Sequence, residues 1–157
     1  MKVFERLLKS IISPSIASTT DPLQFAYHSN RSTEDAIFHV LHTTVRHMDK
    51  KQSNYGRLLF FDYSSEFNTI VPYRLFTKLR DLKLNSWLSA LVLEFLTGRS
   101  QVVRVGNCIS NSITVNTGAP QGCVPTPLLY SLYTHDYVAT HGSNAIIKFV
   151  RVHAHDG

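Results

Sequence analysis

Cysteine is scarce in this sequence. Its 157 residues hold two, Cys108 and Cys123, at no spacing that pairs into a disulfide framework or a zinc site. The thiols therefore read as reduced, and the chain as intracellular, of the cytoplasm or nucleus. No long apolar run is present either. The most apolar stretch, Trp87 to Leu96, is short and carries Ser89 and Glu94, which excludes a membrane span. The N-terminal residues are not expected to act as a signal peptide, because Glu5, Arg6 and Lys9 interrupt their apolar residues. There are no internal repeats and no low-complexity tracts, so a repeat architecture is excluded. Acid is in short supply, with 11 Asp and Glu against 16 Lys and Arg, a net charge of +5. A basic balance permits contact with a phosphate backbone but does not require it.

What is present suits a globular chain: 43% hydrophobic and 17% charged residues, in a length that holds at most one domain with a real core. Met1 to Ile12 sets Val3, Phe4, Leu7, Leu8, Ile11 and Ile12 on one helical face, and Pro14 is expected to end that helix. Ser32 and Asp35 fit a capping box ahead of Ala36, Ile37, Val40, Leu41, Thr44, Val45 and Met48, which repeat at helical spacing; His39 falls off that face and is expected in solvent. Pro72 suits a helix N-terminus with Leu75, Phe76, Leu79 and Leu82 as its stripe. A further helix from about Ser86 is expected to bury Trp87, Leu88, Leu91, Val92, Phe95 and Leu96 and to stop at Gly98. Residues 101–105 and 112–116 read as a hairpin around Gly106-Asn107, and 144–150 as a strand.

Two stretches carry the chemistry. Leu58-Leu59-Phe60-Phe61 runs into Asp62 and then a polar run, which reads as a core strand ending in an acid. From its own residues Asp62 is either a turn cap or a ligand for a hard cation such as Mg²⁺. The second stretch, Asn116-Thr117-Gly118-Ala119-Pro120-Gln121-Gly122, is a turn that leads into an apolar helix near Pro127.

Together these stretches resemble the reverse transcriptase domain of LINE-type, non-LTR retrotransposons. There a strand ending in Asp is followed by a small-residue run and Phe67-Asn68-Thr69, and Pro120-Gln121-Gly122 opens a helix. The likeness continues, in order, through Gln24-Phe25-Ala26-Tyr27, Asn30-Arg31-Ser32-Thr33-Glu34-Asp35-Ala36-Ile37, Phe95-Leu96-Thr97-Gly98-Arg99 and Ile146-Ile147-Lys148-Phe149. It covers nearly the whole chain.

The resemblance implies an α+β fold, part of the fingers and palm of a right-hand polymerase, with helices packed on a small, mostly antiparallel sheet. Residues 1–56 would be fingers-like and 57–157 palm-like. Asp62 would be the first catalytic acid and hold Mg²⁺ with the Tyr63 carbonyl. Phe67 would lie under the nucleotide sugar, Gln121 and Gly122 would contact nucleotide and template, and Arg31 would approach phosphate, although its own residues equally allow pairing with Glu34 or Asp35. RNA template and DNA primer would be the partners.

Three departures point to inactivity. Where the resemblance calls for Ala-Asp-Asp this chain has Val150-Arg151-Val152, so a positive charge stands where two cations should bind. Glu66 fills a position usually small, and Pro125-Thr126 replaces Leu-Ser. The resemblance also implies that a preceding fingers segment, the rest of the palm and the thumb are missing, leaving an unpaired sheet edge open to self-association. The other readings are a non-catalytic RNA- or DNA-binding module and a retroelement remnant without a selected role. His153-Ala154-His155-Asp156 is too weak a pattern to count as a metal site.

Overall fold

In the computed structural model, which describes residues 2–16, 21–28, 30–50, 55–62 and 65–149, Pro14 does not end the first helix. Helix α1 runs Lys2–Ile16 through it. Proline removes one backbone bond, but the last turn buries Ile12 and Ile16 in the core, and that burial outweighs the lost bond. The buried face is Glu5, Leu8, Ile12 and Ile16. Val3, Leu7 and Ile11 lie on the exposed side, so the face is turned from the one the apolar pattern suggests.

The chain is α+β and divides into two compact units, Met1–Thr20 with Ser64–Thr134, and Asp21–Tyr63 with His135–Gly157. The first unit carries α1, a 3₁₀ turn (Glu66–Thr69), α3 (Pro72–Asp81), α4 (Ser86–Leu96), four short strands and α5 (Thr126–Tyr133); α2 (Thr33–Met48) belongs to the second. Helix α3 packs on both α4 and α5. One core joins Leu8, Ile12, Ile70, Leu75, Leu79, Leu88, Val92, Leu96, Leu129 and their neighbours.

Within α4 the buried stripe is Leu88, Val92 and Leu96, four residues apart. Trp87, expected in the core, is 67% exposed. It sits one residue, about 100° of helix, off that stripe. Strands β1 (Arg99–Gln101) and β4 (Ile113–Val115) pair antiparallel, with Arg99 opposite Val115, while β2 (Arg104–Val105) and β3 (Cys108–Ile109) pair around Gly106-Asn107. The expected hairpin thus forms in two pieces, and Gly106 supplies the positive φ of +59° at its tip. The Ser110 amide donates to Val103 O and the Val103 amide to Ser110 Oγ, which fills the gap between the pieces.

In the second unit the expected capping box forms, with Ser32 Oγ accepting from Asp35 N and an Asp35 oxygen from Ser32 N. The helix it starts does not bury its stripe. Ala36 is its one buried residue, and Ile37, Leu41, Val45 and Met48 are exposed. His39 is partly buried instead, its ring 5.8 Å from that of Phe25. Nor is there a strand at Leu58: residues 55–62 have no regular structure, and Leu58 to Phe61 are 52–74% exposed. A strand exists through its partner. The backbone of Lys148, in the other expected strand, is taken by Leu23 O, Phe25 N and Ala26 N, so 144–149 forms a single parallel bridge with Gln24. Lys148 Nζ lies 2.7 Å from Asp21 Oδ2, both side chains largely buried. This ion pair and those backbone bonds fix the 21–26 segment.

Candidate nucleotide-contacting loop

The loop that opens α5 is built onto the turn that carries Phe67. Gly118 N donates to Ile70 O at 2.7 Å and Ala119 N to Phe67 O at 2.8 Å. These bonds need the two backbones close together, and Gly118 meets that need by having no side chain. A Cβ there would stand 2.9 Å from Asn68 Cα and 3.1 Å from Phe67 O, and φ is +69°. Ser65, at φ +59°, turns the chain into the 3₁₀ segment. Phe67 is half-buried, its ring edge-on to that of Tyr130 with centroids 5.8 Å apart. That contact joins the turn to α5 through their side chains as well.

Arg99 holds the stem of the same loop. Its Nε donates to Leu96 O at 3.1 Å and its Nη2 to Thr117 O at 2.6 Å and Gly118 O at 2.9 Å. One guanidinium thus caps the end of α4 and fixes the residues before Ala119. Burial draws its pKa below the ordinary arginine value, while the charge of Cys123 acts the other way. Gly98 N adds a bond to Asn116 Oδ1 at 2.8 Å. On the far side, Thr126 Oγ1 donates to Pro120 O at 2.8 Å. Between these ties Gln121 and Gly122 are exposed, and nothing lies within 4 Å of where a Gly122 Cβ would be. The loop therefore presents a carboxamide and bare backbone on a fixed base, able to donate and accept hydrogen bonds at close range.

Phe67, Gln121 and Gly122 belong to the first unit; Asp62 and Arg31 belong to the second. Asp62 is exposed. Arg31 turns inward on its own unit: its guanidinium donates to Pro22 O and Gln24 O and lies 5.0 Å over the Phe25 ring. It neither stands free for phosphate nor makes an ion pair with Glu34 or Asp35. Tyr63, Val150, Arg151, Val152 and the His153 to Asp156 pattern lie outside the described residues. Among the described residues no three His, Cys, Asp or Glu side chains gather so as to hold a metal ion. Asp62 by itself supplies too few oxygens for a pair of dications, so the described donor set does not fit Mg²⁺.

A family model described as reverse transcriptase (RNA-dependent DNA polymerase) matches residues 1–150. The chain belongs to the reverse transcriptase family. The probable RNA-directed DNA polymerase from transposon X-element of Drosophila melanogaster is 32% identical over 154 residues, covering 94% of this chain and 17% of that relative. The RNA-directed DNA polymerase from mobile element jockey of Drosophila funebris is 28% identical over 137 residues, covering 86% of this chain and 15% of its own length. This reverse transcriptase chain therefore spans less than a fifth of these relatives. No solved structure matches.

Among the described residues of this reverse transcriptase chain no helix is long and apolar enough to cross a membrane. Both cysteines are free, Cys108 exposed and Cys123 partly buried. Two groups that shape the loop lie outside its motif: Arg99, which closes the Phe95 to Arg99 stretch, and Glu5, which breaks the apolar run of the N-terminus. Its spacing to Leu8 and Ile12, three and seven residues on, was the signal that it shares their buried face.

Proposed function

We propose that this chain is a segment of a retrotransposon RNA-directed DNA polymerase, partial fingers over residues 1–56 and partial palm over 57–157, that contacts nucleic acid without extending it. Its Gln121-Gly122 loop meets nucleotide and template, and Phe67 lies beside the sugar. The observation that carries this reading is the backbone union of Ala119 with Phe67, because it holds together the two motifs assigned to the nucleotide. RNA template and DNA primer are its partners, in the cytoplasm or nucleus. Chemistry fails for want of acids: Arg151 and Val152 stand where carboxylates are needed, and Asp62 with Tyr63 cannot hold two Mg²⁺ ions. Self-association through the exposed Leu58 to Phe61 segment belongs to the same reading.

The test is primer extension on an RNA template with Mg²⁺, run beside binding of a fluorescent RNA:DNA duplex at rising salt. No extension is expected, together with binding that weakens by orders of magnitude as salt rises. Extension that disappears in Asp62→Ala would refute the inactive reading. Salt-independent binding, or none, would remove the nucleic-acid role and leave a retroelement remnant.

A further inference from the structure

Glu5 is 3% exposed, on the face of α1 that also buries Leu8 and Ile12. A carboxylate in such a place costs free energy unless it is hydrogen-bonded. Its partner lies 119 residues along the chain: Glu5 Oε2 accepts from Val124 N at 3.0 Å. Val124 follows Gln121, Gly122 and Cys123, so this bond grips the loop just past its exposed crown. The neighbouring Cys123 thiol reports the same proximity. Burial first, then the charge of Glu5 and a hydrogen bond to it, push the thiol pKa above 9.0, against the opposing charge of Arg99.

The crown thus has anchors on both sides. Gly118 and Ala119 are tied to Ile70 and Phe67 before it, and Val124 is tied to Glu5 after it. With both ends fixed, few residues remain to move, and Gln121 is held where the base of the loop puts it. An apolar residue at position 5 would fill the space as well and would bury more favourably. What a carboxylate adds is a directed hydrogen bond.

We propose that Glu5 is a positioning residue for the Gln121-Gly122 crown, a buried carboxylate by which the first helix fixes the loop's outgoing end. Its consequence for RNA:DNA duplex binding rests on the function proposed above; its hold on the loop does not.

The test uses the full chain carrying Glu5→Leu, which keeps bulk and loses the acceptor, and Glu5→Gln, which keeps an acceptor and loses the charge. Three quantities are read: amide exchange along the chain, alkylation of Cys123 against pH in a Cys108→Ser background, and duplex affinity. In Glu5→Leu, Val124 and the 121–123 amides exchange about tenfold or more faster while α3 and α4 keep their rates, the size expected for losing a bond to a charged group. Duplex affinity falls by a similar factor. In Glu5→Gln, Val124 stays protected, and Cys123 alkylation moves to lower pH because a negative charge that opposed the thiolate is gone. Unchanged Val124 exchange in Glu5→Leu, or acceleration of all amides together, overturns the proposal, the second result meaning a merely structural role. If the unmodified chain binds no duplex while the local exchange difference persists, the nucleic-acid reading falls and the hold of Glu5 on the loop stands.

Discussion

Ala119 N donates to Phe67 O over 2.8 Å, joining residues 52 positions apart in the sequence. The bond is possible because Gly118, next to it, lets the two backbones meet. Gly118→Ala should therefore be costly twice over. Its Cβ would stand 2.9 Å from backbone Asn68 Cα, which cannot swing aside, and φ +69° strains any L side chain. We expect about 3 kcal/mol of lost stability from clash and strain together. Gly122→Ala is the matched control, with φ +73° and open space around it. It should cost about 1 kcal/mol, the strain alone. Urea unfolding followed by circular dichroism measures both, and equal losses would remove the claim of close backbone approach.

How much of this was legible in the sequence depended on whether a feature is local. The capping box of Ser32 and Asp35, the Pro72 helix start and the Gly106 turn are set by neighbouring residues, and all were readable. Burial is not local. Helix α2 has an apolar stripe and leaves it exposed, because a period says which residues share a face and not whether anything covers it. The Leu58 to Phe61 run failed as a strand for the same reason: its β propensity holds without a partner, but a strand does not. The loop motif was legible as a word, while its ties to Phe67, Arg99 and Glu5 join distant segments and left no trace in spacing.

The stripe of α4 gives a sharper test of that distinction. Leu96 is fully buried and Trp87 is 67% exposed, although both lie in one apolar run. Leu96→Ala should cost about 3 kcal/mol, for lost transfer energy plus a cavity. Trp87→Ala should change stability by less than about 0.5 kcal/mol, as at other exposed sites. A large loss at Trp87, in the same urea titration, would mean that its ring is covered.

Arg99 makes its own prediction through shape. Its fork reaches Leu96 O, Thr117 O and Gly118 O from two nitrogens. A lysine ammonium is a point donor on a flexible stem and cannot span the end of α4 and the loop stem together. Arg99→Lys should lose about 2 kcal/mol although the charge is kept. Amide exchange should rise at residues 117–119 before it rises in α3. Stability equal to the unmodified chain would show that charge, rather than the fork, holds the stem.

The start of α2 should depend on pH, with a sign set by the capping box. Backbone and side-chain hydrogen bonds from Ser32, in that order, hold the Asp35 carboxyl below its ordinary 3.8. A lowered folded pKa means that the ionised form is favoured by the helix. The contribution is therefore complete above 3.8 and is lost as pH falls through the lowered value. Glu34 is lowered too, by its own backbone amide first and Ser32 second, so acid weakens the first turn by more than one route. Comparison with Asp35→Ala isolates the one carboxylate, since Glu34 titrates in both proteins. Helicity of the unmodified chain should exceed that of Asp35→Ala near neutrality, and the gap should close as pH falls below 3.8 and through the lowered value. A gap that persists unchanged in acid would mean that Asp35 acts through packing or propensity and that its charge does not hold the cap.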